Sequence, residues 1–580
     1  MLRTLLKYKY HFLKLIVLAG ISILYINRSI NDFKEPFVEG DGMEYILMTE
    51  SFKDHFSPEL RFSDLVTFKK RYSKYIGWNH LLAPKVVDVT KEHLKNPDHV
   101  FKEATLGYYY SKHKTWHCGH FFFYSLVNLP SYSIFKKQGP MLSFAFTNAF
   151  LVIITCFVLL FFTPFSVVNQ ILSAVCFGFS ACYWYLGWQH PEVYTCCMAA
   201  MAMVALFNKK NYLAIFLLAL ACLQNQPLTL LLALLCLVCL KRNGFTLKNL
   251  IKTGLTASVA LLPPIYYYIN FDSTNLIKDA GFLDTKFITV NRVTGFYTDI
   301  SQGIILTIPL ILLVYLPLLL VEIRKMTRKQ KSFDFSVFIP LALIAISITV
   351  STMGNWNHGM AIINRYASWV SIVIMIHVFY LAHYLKPLLS HIFFVCFCVT
   401  QVYTTLYHQQ FNIYDGSSGS FPPLARWLFD KHPSWYNPDP VIFAGRLQPA
   451  VELYEANSPM IYFQHRRVKK IMVNKNHVDN LVEYGFSPQD IPEIKSRIKY
   501  NYDWGYVDMS FFKEPKPYDS IYQIVRRKKV EAVYKKILMS APWMEQIKIK
   551  AAIGHKTVDE SCWLDAEYII SQQELAEPEK

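Results

Sequence analysis

The chain has 580 residues, of which 53% are hydrophobic, 16% aromatic and only 17% charged, and its net charge is +17. Soluble domains carry roughly 25% charged residues, so the composition excludes an ordinary soluble enzyme and points to a polytopic membrane protein. The cations stand largely in short clusters between apolar runs, the pattern that sets orientation in a bilayer, and nucleic acid is therefore set aside as a partner.

In chain order, MLRTLLKYKYHFLK gives a basic flank and LIVLAGISILYI an apolar core, with NRSIND following in place of a small-residue cleavage site. This reads as an uncleaved anchor with a cytoplasmic N-terminus. VEGDGMEYILMTE comes next, from Val38 to Glu50. On a helix starting near Gly42, Asp41, Glu44, Tyr45 and Met48 share one side. Asp41 either caps that helix or serves as a carboxylate held at the membrane surface, as general base or metal ligand. Gly40 and Gly42 would let a bulky substrate approach the backbone. Glu39 and Glu50 are expected to be ordinary surface charges.

HKTWHCGHFFF spaces His113, His117 and His120 at i, i+4 and i+7. A helix there would gather three imidazoles on one face, a zinc-type arrangement; an interfacial cluster of histidines and aromatics is the alternative. His120 to Phe135 is apolar but short and interrupted by proline, which predicts an interfacial helix. Ten of the twelve cysteines lie in apolar runs and count as small hydrophobes. Cys118 and Cys562 fall in polar segments and would pair only if both face an oxidising compartment.

A membrane helix needs about 20 apolar residues. The expected spans are roughly 11–28, 140–163, 166–187, 192–208, 211–224, 226–240, 250–269, 303–322, 335–353, 366–385 and 387–406. Residues 211–240 count as two spans because Lys209-Lys210 precede them and Lys241-Arg242 follow. Keeping both basic clusters inside also keeps Arg324 to Lys331 inside. The expectation is thus about eleven spans over 1–406, with a first external loop at 29–139. A small α+β domain over 407–580 lies outside the cytoplasm; in it PDPVIFAGRL reads as a turn and short strand, VEAVYKKILM as helix, and QELAEPEK as a frayed end.

This topology collects the unusual polar residues on the external face. His190 and Glu192 of WQHPEVY stand at the mouth of a membrane helix, where an intramembrane acid faces a cavity sooner than lipid; they either bind substrate there or cap and pack the helix end. Arg292, in the external loop before Arg365, is a second candidate cation for the substrate. GNWNHGMAIINRY supplies Trp356, His358, Asn364 and Arg365. Arg365 is either a snorkelling anchor or a bidentate clamp for a lipid phosphate, with His358 and Asn364 as further donors. There is no Walker loop, GxGxxG, HExxH or GxSxG, so nucleotide-driven transport by this chain alone, dinucleotide cofactors and serine hydrolysis lose support.

With GDGMEY after the first helix, the GH…FFFYSLVNLP stretch, HPE, and Asn364-Arg365-Tyr366, the first 405 or so residues resemble the GT-C superfamily of polytopic glycosyltransferases. That superfamily includes the protein O-mannosyltransferases and the lipid A aminoarabinose transferases. The resemblance implies an all-α polytopic membrane fold in a plasma or bacterial inner membrane. It implies inverting transfer from a polyprenyl-phosphate-linked sugar donor to an envelope glycan, lipid or protein acceptor, outside the cytoplasm. It makes Asp41 the base or metal-linked acid, with Glu44 assisting, and Arg365 the phosphate ligand, with a divalent metal as the one cofactor to consider. The chain departs from the pattern in lacking a paired Asp-Glu, for which Glu44 stands in, and in its tail. The competing classes are a flippase or transporter of lipid-linked sugars, for which buried mid-membrane charge and repeated halves are missing, a polymerase- or ligase-like envelope protein, and a non-catalytic homologue.

Overall fold

The computed structural model describes residues 2–33, 41–72, 108–135, 139–279, 281–329, 338–354, 356, 363–409, 421–447, 458–464, 467–509, 518–539 and 541–576. The chain forms two compact units: Met1–Asp284 with Gly303–Thr352 and Ile363–Gln410, and Thr285–Gln302 with Met353–Ile362 and Phe411–Lys580.

The first unit is built from helices. Among the described residues, six are long and apolar enough to cross a membrane: Lys9–Asp32, Pro140–Phe162, Val167–Trp184, Gln226–Asn243, Arg365–His383 and Pro387–Gln409. Glu192–Phe207, Asn211–Cys222 and Phe338–Val350 are apolar but shorter. The stretch expected to cross at 250–269 is divided into helices Leu247–Ala257 and Leu262–Phe271 by a 3₁₀ turn, where Pro263 and Pro264 withhold two amide donors. The hydrophobic surface follows from the same sequence. Phe12, Ile23, Phe150, Leu313, Leu388 and Val399 all point outward, as suits helices whose backbones are satisfied internally and whose side chains meet lipid.

Arg365–His383 is the central helix, buried without a break from Arg365 to Phe379. It packs on Glu192–Phe207 and Pro309–Lys329. Asn364 starts it, its side-chain oxygen accepting from the Tyr366 amide at 2.9 Å, a standard N-cap. The helix Gly42–His55 is buried from Gly42 to Phe52, enclosed by Phe123–Phe135 and Phe62–Tyr72. It therefore has no solvent side, and Glu50 is no surface charge. Glu50 is 2% exposed and meets Arg71 and the Tyr132 hydroxyl at 2.5 Å. The helix stops at Phe56, whose φ of 56° takes the left-handed turn. Glu39 and Gly40 lie outside the described residues, as does the end of QELAEPEK beyond Ala576.

The histidine segment is a hairpin, not a helix. Tyr108–Tyr110 pairs antiparallel with Trp116–Cys118, and Lys114 makes the turn at φ 62°. The three imidazoles accordingly part company. His113 meets the Ile269 carbonyl at 3.1 Å. His117 is buried between Thr115 and the Tyr266 hydroxyl, at 2.8 and 2.6 Å. His120 emerges beyond the strand. No shared zinc face results. Cys118 and Cys562 are both free thiols, each buried within its own unit.

The second unit carries an antiparallel sheet in the order Met460–Gln464, Arg467–Asn474, Trp504–Asp508, Lys499–Asn501. Ile461, Ile471, Val473 and Val507 from it pack with Leu481 and Ile494. PDPVIFAGRL is the helix Pro440–Leu447 and not a strand: Asp439 accepts from the Val441 amide at 2.9 Å, and Pro440 suits the first helical position. Three helices, Tyr518–Met539, Ala541–Ile553 and Val558–Ala576, form a separate core.

Candidate functional site

Asp41 stands at the N-cap position of the helix Gly42–His55, yet its side chain makes no capping bond. The carboxylate turns instead toward three cationic or imidazole groups. Its Oδ2 lies 3.1 Å from Arg365 Nη1, 3.5 Å from His120 Nε2 and 3.6 Å from His190 Nδ1. Two residues 324 positions apart in sequence are thus ion-paired within the first unit.

Each partner is held in turn. Arg365 sends Nη2 to the Tyr366 hydroxyl at 2.9 Å, and its Nη1 also lies 3.4 Å from His190 Nδ1. The His190 ring stacks on Trp188, centroids 4.5 Å apart. His120 is anchored twice to one oxygen of Glu44, through its backbone amide at 3.0 Å and through Nδ1 at 3.1 Å. Tyr45 packs beside both histidines and reaches Gln224 at 3.3 Å. Gly42 packs closely on Gln189: a Cβ there would stand 2.4 Å from Gln189 Oε1 and 3.1 Å from its Cβ. Glu192, 2% exposed, opens the neighbouring helix Glu192–Phe207, with one carboxylate oxygen lacking a partner.

Exposure separates the roles. The Asp41 and His120 side chains are 23% and 21% exposed, against 6% for Glu44, 6% for His190 and 10% for Arg365. Asp41 and His120 are therefore the members a ligand would reach first. Burial disfavours the imidazolium of His120, but the Glu44 and Asp41 carboxylates outweigh it and carry the ring up to about 9. Burial also raises Glu44, and His120 offsets part of that. The Glu44 and Asp41 carboxylates thus favour the protonated form of His120. Asp41, Glu44 and His120 each offer one ligand atom, all within 4.8 Å of one another, a mixed carboxylate–imidazole set of the kind divalent cations accept.

Of the residues singled out from sequence, Asp41, Glu44, His190 and Arg365 are contiguous, and Glu192 borders the group closely enough to interact electrostatically with Arg365. Asn364 acts as the helix cap behind Arg365. His358 lies outside the described residues. Arg292 belongs to the second unit, where it is fully buried. Its Nε and Nη2 clamp Asp439 at 2.8 and 3.1 Å, and Nη1 donates to the Met353 carbonyl. Trp356, 2% exposed, covers that guanidinium at 4.9 Å and presents no free ring to solvent. His120 and Tyr366 were not placed in the site by sequence. Tyr366 had a signal in its adjacency to Arg365; His120 had one in the GH motif, but nothing in the spacing tied it to Glu44. No family model, no curated protein and no solved structure matches the chain.

Proposed function

We propose that the chain is an integral membrane glycosyltransferase that moves a sugar from a polyprenyl-phosphate-linked donor to a glycan, lipid or protein acceptor on the extracytoplasmic face. The observation that carries this reading is the pairing of a partly exposed carboxylate, Asp41, with a fixed guanidinium, Arg365, 3.1 Å apart at the mouth of a buried apolar helix. Inverting transfer uses the two groups on opposite faces of the anomeric carbon, so the donor parts the resting pair as it binds. Asp41 takes the proton of the acceptor hydroxyl as that oxygen attacks the anomeric carbon. The bond from that carbon to the donor phosphate breaks, and the phosphate departs with its electron pair onto the Arg365 fork, a stabilisation made largely in the transition state.

The resting geometry fits this sequence. Arg365 neutralises Asp41 until a phosphate competes for the guanidinium, and the carboxylate then regains basicity. Tyr366 keeps the second arm of Arg365 from swinging, and Glu44 fixes His120 beside Asp41. The reading keeps a topology of about eleven crossings, the shorter and broken apolar helices completing the six long ones, with the N-terminus in the cytoplasm.

The Asp41–Glu44–His120 trio favours a second reading of the same site, in which a divalent cation is held by these three residues and supplies positive charge there. A metal needs the neutral imidazole, so such binding would compete with the proton on His120. Chelator that abolishes transfer, with recovery on adding manganese, selects this version.

The test of the function supplies purified protein in proteoliposomes with a labelled sugar, either on a polyprenyl phosphate or on a nucleotide, together with an envelope acceptor fraction. Label passing to the acceptor from the lipid-linked donor alone is the expected result. Transfer from the nucleotide sugar, or from neither donor, overturns the proposal.

A further inference from the structure

The three C-terminal helices bury one shared core and leave a second apolar surface uncovered. In Ala541–Ile553, Ile547 is buried completely and Ala551 is 3% exposed. Ile549 and Ile553 follow each of these by two residues, which at 3.6 residues per turn puts them on the opposite side of the helix. They are 58% and 76% exposed. Val558–Ala576 repeats the pattern: Cys562 and Ala566 are buried, while Leu564 and Tyr568 are 43% and 63% exposed. Isolated exposed apolar residues are ordinary, but two i, i+4 pairs on adjoining helices are not isolated.

The two stripes belong to one face. Lys550 reaches across to Asp565 at 2.7 Å, and this bridge lies on the outer side of the helix–helix contact. Ile549 and Ile553 flank its lysine end, Leu564 and Tyr568 its acidic end. Charge is divided along the same line. Helix Ala541–Ile553 and the turn after it offer Lys548, Lys550 and Lys556 against Glu545. Val558–Ala576 carries Asp559, Glu560, Asp565, Glu567 and Glu574 and no lysine or arginine; Asp559 meets the Tyr534 hydroxyl and Glu560 the Thr557 amide and hydroxyl within the same copy, which leaves Glu567 for a partner.

We infer that this face is where a second copy of the chain docks, with the two helices pairing around a two-fold axis. A two-fold interface must be complementary to itself, and this face is: rotation lays the basic helix of each copy along the acidic helix of the other, with the four apolar side chains between them. An anionic bilayer surface suits it less, because the acidic helix would be repelled. The pairing does not depend on the proposed reaction.

The test is native mass spectrometry and sedimentation of the full-length protein in a nonionic detergent, across a concentration series. The expected species is a dimer, and Ile553→Glu should raise its dissociation constant at least tenfold without changing the far-ultraviolet circular dichroism, since the Ile553 side chain is 76% exposed. Lys548→Glu should weaken the dimer, and adding Glu567→Lys should restore it. A monomer at every concentration, or a dimer indifferent to all three changes, overturns the inference. So does protection of Ile549 to Tyr568 from hydrogen exchange that appears only when anionic lipid is present.

Discussion

At Asp41 the sequence allows two uses of one carboxylate, as helix cap or as chemical group, and the side chain's orientation separates them: it leaves its own helix amides and meets Arg365, His120 and His190. Arg365 then matters for shape as well as charge. One arm holds Asp41 and the other the Tyr366 hydroxyl, which an ammonium on a flexible stem cannot reproduce. Arg365→Lys should therefore raise KM for the lipid-linked donor by on the order of tenfold or more and lower kcat as well, read from initial rates in proteoliposomes; unchanged kinetics would remove Arg365 from the phosphate site. Asp299, in the second unit, provides a pH test. Burial raises its carboxyl from 3.8 to about 6, against the pull of the Ser301 and Gln302 amides. A carboxyl raised in the folded state contributes stability that is fully present below the unfolded pKa and lost as pH rises through the folded one. Melting of the second unit should weaken between pH 3.8 and about 6, and Asp299→Asn should flatten that dependence. The acidic motif and the arginine were legible in sequence because each is unusual beside an apolar run. The His120–Glu44 pairing and the burial of Glu50 were not, because both are set by which helices enclose Gly42–His55, and hydrophobic period does not encode that.

Among the elements, the long apolar helices were readable from composition alone. Two misreadings show what composition leaves out. Three histidines at helical spacing share no helix because Lys114 takes a left-handed turn and Trp116–Cys118 finds a partner strand; a residue spacing is silent about strand pairing. PDPVIFAGRL carries a helix signal of its own. Its hydrophobic run fits a strand, but an Asp followed by Pro is a helix start, and Asp439 and Pro440 occupy those two positions. Asp439 also neutralises the fully buried Arg292. Asp439→Ala should thus cost the second unit about 3–5 kcal/mol, the usual result of leaving one partner of a buried ion pair alone, seen as an earlier denaturant midpoint. A loss below about 1 kcal/mol would mean that the guanidinium finds another acceptor.

The whole molecule divides its labour by polarity. Its apolar helices expose large hydrophobic side chains outward, while Asp41, Glu44, His120, His190 and Arg365 gather where Gly42–His55 meets the start of Arg365–His383. If that mouth opens away from the cytoplasm, an alkaline phosphatase fused after Tyr407 should be active and a cytoplasm-dependent reporter at the same place silent; the reverse pattern would put the site on the wrong side for a lipid-linked donor. The central claim, that Asp41 is the group that activates the acceptor, is reached most directly by Asp41→Asn. The amide keeps the size of the side chain and its contact with Arg365 but cannot take a proton at neutral pH. With protein of wild-type yield and melting behaviour in proteoliposomes supplied with polyprenyl-phosphate-linked sugar, the transfer rate should fall by roughly 10²- to 10⁴-fold while donor binding persists. Transfer at the wild-type rate would contradict the account.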